Sequence, residues 1–354
     1  HLTSMVVYLF AWLDPLAFHL WNIIVHGLNT GLVFCLALHI FPQASFQDLR
    51  HTSPSGTGLL PSHGNNSRGI LSTAVAPNRL MAMVAASIFA LHPINTEPVS
   101  WAAAIGELYF TAGFLLMAVL ELSGKPSLKK ACIGAIIFFL SLLCKETAIV
   151  FPLILLVLRC SGLRKTTGSE NLYIPYMVAI AAYFFFRKLA ITGGLGIVLM
   201  KPDMFMEVLN ANRNLALYLW KLILPIGSSV IYEKSAIQGL LEIDVLASIL
   251  FTPIIGILLY RYRQNGPVIL SLTWIIAPLT VAVFSSFVSE GGFADRYLYC
   301  SSIGFALLVS YSFFLLLRHY NSQKAHLVIG LVLVGYICLL AGTCYSRTSV
   351  WQND

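Results

Sequence analysis

Residues 130–160 read KACIGAIIFFLSLLCKETAIVFPLILLVLRC, two apolar runs broken by the polar tripeptide Cys144-Lys145-Glu146. A helix that crosses a bilayer needs about 20 apolar residues at 1.5 Å rise each. The stretch reads as two arms of a hydrophobic hairpin with its polar turn at a membrane boundary. The same pattern recurs along the chain, at 17–41, 80–93 with its neighbours, 104–122, 172–192, 243–261, 267–288, 298–318 and 325–345. The stretch 214–230 contains Lys221 and Pro225, and reads as an eleventh span or as a helix that dips in and returns. The expectation is an all-α, polytopic membrane protein of ten to eleven spans.

Composition agrees. Of 354 residues, 58% are hydrophobic and 10% charged, against roughly 25% charged in a soluble domain. Mean hydropathy is +0.80. An ordinary cytosolic enzyme and a disordered chain are both excluded. The net charge of +7 does not point to nucleic acid, because the charges sit in short loops between apolar runs; anionic membrane lipid is the partner they suit. Seven cysteines without a Cys-x-x-Cys pair read as free thiols packed as small hydrophobes.

Charge also orients the chain. The loops 42–79, 121–130, 159–171, 261–266 and 318–325 hold 13 of the 22 basic residues and only three acids, Asp48, Glu121 and Glu170. The positive-inside rule places them in the cytoplasm. The alternation closes only if 214–230 does not cross fully. Loop 42–79, rich in Ser, Gly, Pro and Asn, reads as a flexible cytoplasmic insertion; its sequon Asn65-Asn66-Ser67 then lies on the wrong side for use. The chain opens mid-pattern at His1, and 346–354 follow an apolar run. The expectation is a fragment: a membrane domain over 1–345 and the start of a linker over 346–354.

Polar residues gather on the opposite, external side in three groups. These are His92 to Trp101 with Glu107, then Cys144 to Thr147, then Phe293 to Tyr299. Ionisable groups at a membrane boundary face a cavity or each other, so three groups on one side argue for one shared cavity. Each has a plainer reading. Glu97 and Glu107 suit first helical turns, where a carboxylate complements the macrodipole. His92 before Pro93 suits a helix terminus. Lys145 and Glu146 suit an ion pair within the turn. Asp295 and Arg296 suit a lock between loops, while Arg296 equally suits a phosphate. Arg187 and Lys188 end a span against the charge rule, and fit either an anionic head group or snorkelling. His19 and His26, two turns apart, line a cavity or pack a helix face.

Several of these stretches resemble one family. Asp14-Pro15-Leu16-Ala17-Phe18-His19-Leu20-Trp21-Asn22 leading to Val25-His26-Gly27-Leu28-Asn29 resembles the second span of the transmembrane and tetratricopeptide-repeat O-mannosyltransferases and their bacterial relatives. Leu91 to Val99 resembles that family's LHPxxTExV stretch, and Leu143 to Glu146 its CKE turn. Leu222 to Pro225 with Tyr232, Phe293 to Tyr299, and Trp351 to Asp354 are similar to further family segments, in family order. Where the family carries an Arg after its second motif, this chain has Ala103-Ala104-Ile105-Gly106-Glu107.

The resemblance implies a GT-C helical bundle with an extracytoplasmic site. Its activity would be an inverting transfer of a sugar, mannose by family, from a polyprenyl-phosphate donor to a hydroxyl of a protein or glycan. The catalytic acidic pair is expected before His1. The resemblance implies no resident cofactor beyond a possible divalent metal. Arg296 with Arg187 or Lys188 would hold the phosphate. Glu97, Asp295 and Glu146 would shape the pocket or bind sugar hydroxyls, and Tyr297, Tyr299 and Trp101 would offer flat faces for sugar or prenyl chain. His92, Glu107 and Lys145 complete the candidate set. The setting would be the bacterial inner membrane, with the endoplasmic reticulum as alternative. Competing readings are a periplasmic glycan polymerase or ligase, a secondary transporter, and a non-catalytic scaffold.

Overall fold

The computed structural model describes residues 15–41, 77–163, 170–190, 204–225, 242–288, 294–320 and 322–351. Every element among them is helical. The α-helices are α1 (Pro15–Ile40), α2 (Pro77–Leu91), α3 (Thr96–Ser100), α4 (Ile105–Leu122), α5 (Leu128–Cys144), α6 (Phe151–Cys160), α7 (Ile174–Ala190), α8 (Met204–Ile223), α9 (Ile243–Arg261), α10 (Gly266–Val288), α11 (Tyr299–His319) and α12 (Gln323–Thr348). Short 3₁₀ turns at Pro93–Asn95, Ala102–Ala104, Glu146–Val150 and Asp295–Leu298 link several of them.

Six segments are long and apolar enough to cross a membrane: Pro15–Ile40, Ala102–Leu122, Ile243–Arg261, Gly266–Val283, Asp295–His319 and Gln323–Trp351. The most apolar windows of Ile243–Arg261 and Gln323–Trp351 are only 11% and 6% buried. Leu327, Val328, Leu331 and Val332 face outward, which water would punish and lipid rewards. The helices therefore suit an integral membrane protein.

Several of the other expected spans fold with different bounds, for local reasons. Pro152 sits at the start of α6, and the preceding five residues turn as 3₁₀ helix, so the expected span 147–160 keeps only ten α-helical residues. The stretch 214–230, read as an eleventh span or a helix that dips in and returns, supplies the second half of α8, which begins ten residues earlier and carries Glu207, Arg213 and Lys221; residues 226–230 lie outside the described residues. Residues 346–351, expected to open a linker, continue α12 and a closing 3₁₀ turn. Pro77–Arg79, expected in the loop 42–79, already belong to α2; the rest of that loop, its sequon, Tyr232 and Phe293 lie outside the described residues.

Turns between helices are built locally. The Ser127 hydroxyl accepts from Lys130 N at 3.4 Å, capping α5, and Gly124 (φ 65°) makes the left-handed turn before it. The core is aromatic and aliphatic. Phe114 meets Phe110, Phe151 and Trp274 with centroids 5.5, 5.2 and 6.5 Å away. Helices α10 and α11 cross at Gly304, where an added Cβ would lie 2.4 Å from the Ser271 carbonyl oxygen. Small residues at such crossings let backbones approach, which is how helices gain contact where lipid already satisfies apolar surface.

Buried amides and a tyrosine tie the first helix to the rest. Asn29 donates to Leu108 O and to the Tyr299 hydroxyl, both at 3.1 Å. His26 Nδ1 meets the same hydroxyl at 2.8 Å and its Nε2 meets Ala90 O at 3.2 Å. Of the two sequence readings for His26, the packed face with a satisfied imidazole is the one observed. Asn22 donates to the carbonyls of Val99 and Trp101, pinning the polar segment that follows α2.

Candidate functional site

The segment 92–107 forms a buried ledge at one end of the bundle. His92 ends α2 with extended backbone ahead of Pro93. Its Nε2 meets Leu222 O at 3.0 Å, and its Nδ1 accepts from Ile94 N at 3.4 Å. This requires the tautomer with the proton on Nε2. Burial, with Arg347 nearby, drives its pKa down to about 4 against the Leu222 bond and Asp295, so the ring is neutral. His92 thus fastens the end of α8 to the ledge, a structural task.

Glu97 lies two residues into the ledge helix and is fully buried. It does not cap its own helix. Arg296 Nη1 donates to Glu97 Oε1 at 2.9 Å, and the Arg296 backbone N donates to Oε2 at 3.2 Å. Burial raises the Glu97 pKa in spite of Arg296. The guanidinium lies 4.8 Å from the Trp101 ring centroid and 5.2 Å from that of Tyr297. Its neighbour Asp295, also fully buried, takes Arg347 Nη2 at 3.1 Å and faces Lys221 Nζ at 3.6 Å. Arg347 also donates to Pro93 O at 2.8 Å. The loop lock expected for Asp295 and Arg296 is therefore present, with each residue bound to a different element.

The turn 144–147 corrects one expectation. Lys145 and Glu146 do not pair with each other. Lys145 has extended backbone, so its side chain and that of Glu146 leave the chain on opposite sides. Lys145 pairs with Glu107, and Glu146 pairs with Arg187. Gly106 permits the first contact, since a Cβ there would sit 3.3 Å from the Cys144 carbonyl oxygen. The Lys145 ammonium also lies 4.4 Å from the Tyr297 ring centroid.

A cavity of about 660 Å³ opens beside this turn. Lys145, Glu146, Arg187, Tyr183 and Tyr297 supply its polar end; Leu142, Leu143, Phe186 and Val281 supply apolar wall. Tyr183 accepts from Arg187 at 2.6 Å. The three sequence groups thus meet at one end of the bundle through Glu97–Arg296, Glu107–Lys145 and the shared ring of Tyr297. Only Lys145, Glu146, Arg187 and Tyr297 of the candidate set line the cavity. Lys188 is exposed, and Arg296 is spent on Glu97 and covered by Trp101.

Sequence reading missed Arg347, Lys221 and Tyr183. Arg347 was signalled in the same way as Arg187, as a cation closing an apolar run on the sparsely basic side. Tyr183, one turn before Arg187, carried no signal. Among the described residues no three His, Cys, Asp or Glu side chains converge to hold a metal ion. The buried carboxylates Glu97 and Asp295 already face cations, so a divalent metal does not fit there.

No family model, no curated protein and no solved structure matches the chain. Fold and site together define a helical bundle of integral-membrane type with an ion-paired polar end and an amphipathic cavity beside it.

Proposed function

We propose that the chain is a membrane glycosyltransferase of GT-C type that moves a sugar, mannose by resemblance, from a polyprenyl-phosphate donor to a protein or glycan hydroxyl with inversion. The observation that carries this reading is the cavity, which couples the cations Lys145 and Arg187 to apolar walls at the end where the ledge, turn and loop motifs meet. A lipid phosphate asks for that combination: donors for an anion continuous with a lane for a tail. In this reading ten helices cross, the polar end faces the periplasm of a bacterial inner membrane, or the lumen of the endoplasmic reticulum, and α8 stays on that side.

In this reading Lys145 joins Arg187 at the phosphate in place of Arg296, because Lys145 and Arg187 line the cavity and Arg296 is engaged by Glu97. Transfer breaks the bond from sugar C1 to the phosphate oxygen and forms one to the acceptor oxygen, whose proton passes to the carboxylate that the resemblance expects before His1. Cations at the leaving phosphate stabilise the charge that develops there. Tyr297 offers a ring face beside Lys145. No general base is assigned, because Glu97, Glu107 and Asp295 are each held by a cation.

The same pairing favours a second reading, a membrane scaffold whose polar end is a structural ion network. Full-length protein in proteoliposomes, supplied with labelled polyprenyl-phosphate mannose and a hydroxyl acceptor, separates them. Transfer that falls at least tenfold in Lys145→Gln supports the first reading. Absence of transfer from mannose, glucose and N-acetylhexosamine donors supports the scaffold.

A further inference from the structure

We infer that the end of the bundle opposite the ledge holds an anionic glycerophospholipid at the foot of α9, with its phosphates on Arg261 and Arg263 and its chains along α9. The inference is independent of sugar transfer and holds equally for a scaffold.

The two ends of the bundle treat their cations differently. At the ledge end Lys145, Arg187, Lys221, Arg296 and Arg347 each face a carboxylate. At the opposite end Arg159 does so, meeting Glu121 at 3.7 Å. Lys125, Lys129, Arg261, Arg263, Arg318 and Lys324 are all exposed. Among the described residues no carboxylate pairs with any of these six.

Tertiary contacts gather the feet of the helices there. Glu121 and Arg159 join α4 to α6. An added Cβ at Gly266, which opens α10, would lie 2.7 Å from the Ser161 carbonyl oxygen just past α6. Asn265 reaches the Tyr311 hydroxyl of α11 at 3.5 Å, and Tyr311 stacks on Phe41, just past α1, with centroids 6.0 Å apart. A surface so basic and so poor in acids suits the negative face of a leaflet.

Charge alone gives a diffuse attraction, and the foot of α9 gives a place. Tyr260-Arg261-Tyr262-Arg263 alternate ring and guanidinium, and all four are exposed. The Arg263 guanidinium lies 4.0 Å from the Tyr260 ring centroid and donates to Tyr260 O at 3.0 Å. That of Arg261 lies 5.8 Å from the Tyr262 centroid. A stacked guanidinium still donates from its edge, and its planar fork matches a phosphate. Tyrosines at this position anchor at head-group level. In the two preceding turns Ile254, Ile257 and Leu258 are exposed, so head-group and chain contacts are continuous. A zwitterionic head group brings its own cation and an anionic one does not. A lipid with two phosphates answers both arginines.

The test counts bound lipid by native mass spectrometry on full-length protein stripped of lipid in detergent. Diphosphatidylglycerol, phosphatidylglycerol and phosphatidylcholine of equal chain length are titrated in turn. Affinity should fall in that order, with phosphatidylcholine weaker than diphosphatidylglycerol by roughly tenfold or more. The double variant Arg261→Gln/Arg263→Gln should lose roughly tenfold for the anionic lipids. Lys125→Gln/Lys129→Gln removes the same charge from the same end and should stay within about twofold, because separated exposed charges are screened. Equal binding of phosphatidylcholine, or an unchanged arginine variant, overturns the site. Equal losses in the two double variants reduce it to a diffuse field and overturn it too. Glycerol phosphate that competes as well as the lipids overturns the lipid as occupant. Should the glutamine variant not fold, Arg261→Lys/Arg263→Lys keeps the charge without the fork; it should lose part of the affinity for diphosphatidylglycerol, and unchanged affinity overturns the site.

Discussion

Arg296 grips Glu97 twice, through its guanidinium at 2.9 Å and its backbone N–H at 3.2 Å, across 199 residues of sequence. The loop before α11 and the ledge after α2 are thereby fixed to each other by a fully buried carboxylate.

Glu97→Gln keeps the shape and removes the charge. Because burial already disfavours the charged carboxyl in the folded state and Arg296 is 24% exposed to other partners, the stability change at neutral pH should stay within about 1 kcal/mol. The pH dependence has a definite sign. Burial raises the folded-state pKa of Glu97, so the folded state binds the Glu97 proton more tightly than the unfolded chain does. Its linkage contribution is largest in acid and fades as pH rises through the raised value. Thermal unfolding in detergent from pH 4.5 to pH 7.5 should show wild type losing stability relative to Glu97→Gln as pH rises. A constant difference between the two would contradict it.

Arg347→Ala unties Asp295 and the Pro93 carbonyl together. Lys221 remains near Asp295 at 3.6 Å, so a loss of about 2–4 kcal/mol is expected rather than failure to fold. Arg347→Lys should recover part of it, because an ammonium lacks the planar fork that spans both acceptors. Full recovery by lysine, read by thermal shift, would show that the Pro93 contact contributes nothing.

Arg187→Gln should separate stability from binding. The Arg187–Glu146 pair is open, with side chains 35% and 62% exposed, so the stability change should stay within about 0.5 kcal/mol. Affinity for dioctyl phosphate should fall roughly tenfold, the worth of one charged hydrogen bond. Unchanged affinity in a calorimetric titration would remove Arg187 from the cavity's anion end.

Gly304→Ala tests the crossing of α10 and α11. The added methyl would press on the Ser271 carbonyl and the Ile275 amide, at 2.4 and 2.8 Å, and backbone cannot step aside as a side chain can. A loss of about 3 kcal/mol, or no assembled protein, is expected. Gly31→Ala, with nothing within 4 Å, should gain up to about 1 kcal/mol from helix propensity. Similar melting temperatures for the two variants would contradict the close crossing.

Much of the fold was legible in the sequence because helix formation in an apolar setting is a local matter. A long apolar run must satisfy its own backbone hydrogen bonds, and a helix does so without a partner. The runs 17–41, 243–261 and 325–345 therefore appear as α1, α9 and α12. Boundaries were less legible where a proline or a 3₁₀ turn shortened a run, as at Phe151-Pro152. The 92–107, 144–147 and 295–299 motifs meet through ion pairs at one end of the bundle, but the single shared cavity expected for them is not observed, since no residue of 92–107 lines the cavity; the pairing followed from a local rule, that charges at the ends of apolar runs need partners.

The sequence by itself determined which residues had to be buried or paired, and that Lys145, Glu97, Arg296 and Asp295 would not be left alone. Only the tertiary structure decided who pairs with whom. Lys145 and Glu146 are adjacent, yet extended backbone at Lys145 sends them apart, one to Glu107 and the other to Arg187. Partner choice depends on where distant helices place their ends, and charge attraction falls off over a few ångströms. Sequence adjacency carries little weight against the packing that sets those distances.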